Sequence, residues 1–214
     1  MRLDRAYGAG TLLAAISSRV EMRTALRTAS VALIAAMTAA AAQVSIPLPF
    51  TPVPLTLQPM IVLLGGAALG SRLGMWAQVL YLTAGVAGLP VFAASPVLPQ
   101  GALRLVGPTG GYLMCYPFAA FVTGLLAERG FDRRYVTSVV AMAAGLAVIF
   151  AGGILWLAWF ARPSAGGIDG ALRTGLYPFL LKDMYKILVA AAVMPAIWRL
   201  IGRRESPVVP GPRA

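Results

Sequence analysis

Long apolar runs, broken by short clusters of arginine, glycine and proline, set the pattern of this chain. The runs fall at about 25–44, 57–69, 73–86, 112–128, 135–161 and 175–198. About twenty apolar residues cross a bilayer as a helix, so the pattern predicts an all-α integral membrane protein with six transmembrane helices. The second and third runs are short for full spans. The first run is rich in alanine, with small residues recurring at Ala32, Ala36 and Ala40 and again at Ala35 and Ala39. Such spacing lets helix backbones approach closely in lipid. It serves either packing within the bundle or a docking face for another subunit.

Between the first two runs lies 45–58, with prolines at 47, 49, 52 and 54. Proline is excluded from helix interiors, and irregular backbone at membrane depth must be buried in protein or line a cavity. The segment therefore reads as a stiff loop folded over one end of the bundle. A second irregular stretch, 91–108, contains Pro96, Pro99 and Arg104, and Gly110-Gly111-Tyr112 leads into the fourth helix. Residues 162–173 read as a polar loop.

The sixth run carries the candidate chemistry. Within 177–187 stand Lys182, Asp183 and Lys186. A charge near the centre of a spanning helix costs roughly 3 kcal/mol on insertion scales. Asp183 and Lys186 are three apart and share a helix face, so that face looks into protein rather than lipid. They form either part of a substrate path or a structural ion pair.

Composition supports the class. The chain is 59% hydrophobic and 12% charged, with mean hydropathy +0.79. Its net charge of +11 shows no basic face with interleaved aromatics, so nucleic acid is not the expected partner. The arginines instead give orientation. Six spans put the five N-terminal arginines, Arg72, Arg129, Arg133, Arg134, Arg199, Arg203, Arg204 and Arg213 on one side, and Arg104, Arg162 and Arg173 on the other. Positive charge marks the cytoplasmic side, so both termini are expected there. Residues 1–24 are then a cytoplasmic lead-in, 25–200 the membrane domain and 201–214 a disordered tail. Asp183 would lie roughly 12 Å below the outer end of its helix at 1.5 Å per residue. Histidine is absent and Cys115 is the single cysteine. That removes His/Cys metal sites, disulfides and histidine-dependent triads. No phosphate-binding G-x-x-x-x-G-K-[ST] loop is present, so ATP hydrolysis by that route is excluded.

The stretches Ser45-Ile46-Pro47-Leu48-Pro49-Phe50-Thr51-Pro52-Val53-Pro54-Leu55-Thr56-Leu57-Gln58, Gly88-Leu89-Pro90-Val91-Phe92 and Gly107-Pro108-Thr109-Gly110-Gly111-Tyr112-Leu113, followed by Asp183-x-x-Lys186, resemble the BioY family. These are the biotin-binding S components of energy-coupling factor (ECF) transporters. The resemblance covers about 25–198 and implies a six-helix, S-component-like bundle in the bacterial cytoplasmic membrane, with the Pro-rich loop as an extracellular lid. It implies biotin as substrate, no cofactor, and ATP used only through partners: a transmembrane T component and two ATPase subunits. Ala32, Ala36 and Ala40 would form the docking face. Candidate ligand contacts are Asp183, Lys186, Tyr112, Tyr81, Thr51, Phe50, Gln58, Arg104 and Tyr177. Aromatic walls suit the fused rings and alkyl chain, Asp183 can accept from a ureido N–H, and Lys186 or Arg104 can meet the carboxylate. The chain departs from the family at Leu181-Lys182, where Pro-Gly usually precedes the acid, and in its longer, proline-richer 91–108 loop. A transporter for another vitamin-like solute, a non-transporting scaffold and an intramembrane enzyme are the alternatives. The enzyme lacks an evident nucleophile and base.

Overall fold

A computed structural model describes residues 20–95, 98–160 and 167–204; side chains are described within these except at 20–23, 160 and 201–204. The expected lead-in therefore lies largely outside the described residues, and so do residues 205–214 of the expected tail, whereas 201–204 are helical rather than disordered.

Helix α1 (Val20–Gln43) leads to a flap whose ends are tied by two short strands, β1 (Ser45–Ile46) and β2 (Leu55–Thr56). These pair antiparallel, Ser45 opposite Thr56 and Ile46 opposite Leu55. The four prolines sit in or beside the flap between the strands, where no ladder bond requires their missing N–H. Helices α2 (Gln58–Leu69) and α3 (Ser71–Val86) follow, then α4 (Leu103–Val106), α5 (Gly110–Met114), α6 (Tyr116–Glu128), α7 (Tyr135–Phe160), α8 (Gly167–Gly175), α9 (Tyr177–Ala191) and α10 (Val193–Arg204). Proline stands in the first turn of α2, α6 and α9, the one helical place where its missing donor costs nothing. Gly70 separates α2 from α3 at φ 87°, a conformation that disfavours any side chain.

Three expectations change. The run 175–198 is two helices, broken at Ala192. Pro195 lacks the N–H that would bond the carbonyl of Ala191, and its ring crowds that carbonyl. In the same way Pro117 cannot bond Leu113, and the fourth run divides at Cys115 into α5 and α6. The described part of 162–173, expected as a loop, belongs to α8. Asp169 in its first turn and Arg173 in its last complement the helix dipole, and the helix packs on α7.

Helix α6 is central. It packs on α2, α3 and α7, while α1 lies against α2 and α3, and α9 against α7 and α2. Val62, Leu63, Tyr81, Phe92, Met142, Ile187 and Met194 form the innermost core. Leu33, Trp76, Phe118, Val136, Leu155, Trp159 and Leu181 are exposed, so large apolar side chains stand on the outer surface as well as in the core, as a lipid-facing bundle requires. Three helical stretches are long and apolar enough to cross a membrane by length and composition: Thr24–Gln43, Gly110–Glu128 and Tyr135–Trp159.

Helix α1 shows which alanines do what. Ala35, Thr38, Ala41 and Ala42 are buried against the bundle, whereas Ala32, Ala36 and Ala40 are exposed on the opposite face. Internal packing therefore uses the other stripe.

Candidate functional site

Two small cavities share a wall at the flap end of the bundle. One is lined by Thr56, Gln58, Ala93, Arg104, Thr109 and Leu113 together with Val53, Pro54, Tyr112 and Tyr116. The other is walled by the same Val53, Pro54, Thr56, Tyr112 and Tyr116, and continues to Ile149, Phe150, Phe179 and Asp183. Their volumes are about 40 and 50 Å³. Each holds a few waters at most.

The floor is built by close helix contact. Tyr112 lies across Gly153, and a Cβ on that glycine would strike the Tyr112 ring. A Cβ on Gly111 would collide with Trp156. Glycines on both helices therefore let α5 seat against α7, and Trp156 Nε1 donates to the Gly107 carbonyl at 2.8 Å to fix the turn before it. The Tyr112 hydroxyl donates to the Gly175 carbonyl at 3.0 Å.

The flap closes the top. Thr51 Oγ1 donates to the Thr174 carbonyl at 2.7 Å. Lys186 Nζ donates at 2.6 Å both to Asp183 Oδ1 and to the Thr56 carbonyl. One ammonium thus neutralises the acid and ties the base of the flap to α9. Asp183 is 5% exposed, and a buried carboxylate needs such a partner.

The opposite end of the double cavity is unsatisfied. Arg104 is 2% exposed, and its Nη2 donates to the Ala93 carbonyl. Among the described residues its Nη1 has no partner, and neither does the buried Thr109 Oγ1. Both residues line the same cavity. Burial pulls the Arg104 guanidinium below its ordinary value, but it starts high enough to stay charged. Two unpaired polar groups facing one apolar hollow form a ready seat for an anionic or polar group.

Among the sequence-predicted contacts, the structure brings together Asp183, Tyr112, Gln58 and Arg104. Lys186 stands at the seam behind Asp183. Tyr81 is one layer back: its hydroxyl is 2.6 Å from Gln58 Nε2, which donates to it, and its ring stacks on Tyr116 at 6.4 Å. Thr51 and Phe50 line a wider outer groove among the flap prolines; Phe50 is 59% exposed. Tyr177 is 61% exposed and lines neither cavity, because six helical residues turn it about 120° from Asp183. Lys182 also points outward. Tyr116, Thr109 and Phe179 were missed. Tyr116 was within reach, since it follows Tyr112 by four residues and so shares its face.

The sequence profile of the BioY family matches residues 14–203. A protein of Pyrococcus horikoshii named "Probable biotin transporter BioY" is 39% identical over 163 residues, covering 76% of this chain and 90% of that protein. The "Biotin transporter BioY" of Thermotoga maritima is 39% identical over 148 residues, covering 69% and 82%. In three dimensions the chain is similar to the crystal structure of the S-component for biotin from an ECF-type ABC transporter. The TM-score is 0.75 at 21% identity, over 85% of this chain and 95% of that one. This chain is a member of the BioY family.

Proposed function

We propose that this chain binds biotin from outside the cytoplasmic membrane, as the substrate-specific subunit of an ECF-type transporter. The observation that carries the reading is the double cavity itself. One of its two adjoining halves reaches the buried carboxylate at Asp183 and Phe179, the other the Arg104 and Thr109 groups left unpaired among the described residues, and Tyr112, Tyr116 and Val53 line both. Biotin has the matching order. Its ureido N–H groups find an ionised acceptor in Asp183, its ring system finds the aromatic wall, and its carboxylate finds Arg104. Lys186, whose ammonium already serves Asp183 and Thr56, keeps the acid charged and ready to accept.

The cavities are too small for the vitamin as they stand, so binding begins with the flap lifting at 47–54 and ends with its closure. Phe50 and Thr51 move with it as lid residues. We assign six crossings to α1, α2, α3, α5–α6, α7 and α9–α10, with both termini cytoplasmic by the arginine bias. The exposed Ala32, Ala36 and Ala40 stripe is the proposed docking face for a T component, through which two ATPases would drive uptake.

Equilibrium binding of labelled biotin and of biotin methyl ester to the purified chain tests the assignment. Arg104→Gln removes a charged hydrogen bond of about 1.5–3 kcal/mol, or roughly 10–150-fold in affinity, for biotin, and leaves the ester nearly unchanged. Absence of biotin binding, or equal losses for acid and ester, would overturn the orientation or the substrate.

A further inference from the structure

A second crevice opens on the outer flank of α9, separate from the cavity that holds Asp183. Its walls are Leu55 of β2 and Leu181, Met184, Tyr185 and Leu188 of α9, with Lys182 and Lys186 alongside, around about 530 Å³ of open space. Leu181 and Tyr185 are strongly exposed, so the crevice faces the bilayer rather than a neighbouring helix. Water has few partners there, because the walls are almost wholly apolar.

The two lysines differ. They are four apart, one above the other on the same helix face. Lys186 is turned inward and spends its ammonium on Asp183 and the Thr56 carbonyl. Lys182 stands one turn nearer the start of α9, is exposed, and makes no hydrogen bond or ion pair among the described residues. Helical side chains lean toward the helix N-terminus, which is the outer end of α9 on the arginine-based topology. The stem of Lys182 therefore runs along the crevice and carries its ammonium toward the headgroup layer. An apolar slot with an unpaired cation at its upper rim has the shape of a lipid.

We propose that this crevice seats an anionic phospholipid of the outer leaflet, one acyl chain between Leu55 and α9 and the headgroup phosphate on Lys182. The chain wedges beside the seam that Lys186 closes, so the lipid lies against the hinge of the flap without entering the inner cavity. The seat rests on Lys182, which lines the crevice and neither small cavity.

Native mass spectrometry of the full-length, delipidated chain titrated with dioleoyl-phosphatidylglycerol or dioleoyl-phosphatidylcholine provides the test, with melting midpoints checking that each variant is folded. The wild type is expected to retain the glycerol lipid at least fivefold more than the choline lipid. Lys182→Gln abolishes that preference and Lys182→Arg keeps it. Leu181→Trp, which narrows the crevice, lowers retention of both lipids. Equal retention of the two lipids by the wild type, an unchanged preference in Lys182→Gln, its loss in Lys182→Arg, or unchanged retention in Leu181→Trp would each overturn the proposal.

Discussion

Replacing Lys186 by methionine separates the structural from the proposed ligand-facing role of the charged pair. Methionine keeps most of the volume of the lysine stem but removes two hydrogen bonds of 2.6 Å, to Asp183 Oδ1 and to the Thr56 carbonyl. The side chains of the pair are 13% and 7% exposed, so little water is at hand to take the ammonium's place. Breaking a buried pair by deleting one partner costs about 3–5 kcal/mol, mostly because the other charge is stranded. At about 2–4 °C per kcal/mol for a chain of this size, the melting midpoint in detergent should fall by about 6–20 °C. Adding Asp183→Asn to Lys186→Met removes the stranded charge and should bring stability back to within about 1 kcal/mol of the wild type, since a buried pair contributes little net stability over neutral replacements. Biotin binding should not return in the double variant, because the proposed ionised acceptor is gone. Thermal melts and labelled-biotin binding on the wild type, both single variants and the double variant complete the cycle. A Lys186→Met protein as stable as the wild type, or a double variant no more stable than Lys186→Met, would refute the reasoning that this pair is buried and mutually dependent.

Thr51→Val deletes the hydroxyl that latches the flap to Thr174; at about 0.5–1.5 kcal/mol for a neutral hydrogen bond, biotin should dissociate about 2–12-fold faster in a chase experiment. Ala36→Trp puts bulk on the exposed stripe of α1 and should leave biotin binding by the isolated chain intact while abolishing co-purification with the proposed T-component and ATPase partners. Asp132, in the turn between α6 and α7, is buried and accepts from Trp198 Nε1 at 2.6 Å, and burial holds its carboxyl above the ordinary 3.8. The native state thus keeps this proton to higher pH than the unfolded chain, so its contribution to stability is present at low pH and declines as pH rises from 3.8 through the raised native value. Asp132→Asn keeps an acceptor for Trp198 and removes the buried charge, so its melting midpoint should match or exceed the wild type at pH 7 and lose that part of the pH dependence.

What the chain determines by itself is its solvent and its local periodicity. Runs of apolar residues require lipid or a large core, prolines at 47, 49, 52 and 54 forbid a helix in the flap, and three-residue spacing puts Asp183 and Lys186 on one face whatever surrounds them. Helix bounds were legible for the same reason, except where a proline acts four residues before itself, as Pro195 does at Ala191 and Pro117 at Leu113, and at α8, whose polar, glycine-containing sequence reads as a loop. Tertiary structure decided which face looks inward and which polar groups are already matched. Lys186 and Arg104 are equivalent as sequence-level candidates for a carboxylate; packing ties up the first with Asp183 and Thr56 and leaves Nη1 of the second unpaired beside Thr109. Tyr81 is an equally good aromatic candidate by sequence, and only the packing of α3 puts it behind the wall, its hydroxyl on Gln58 and its ring on Tyr116. Periodicity specifies angles within a single helix, but the match of donor to acceptor is a property of the registry between helices, which no single stretch of chain encodes.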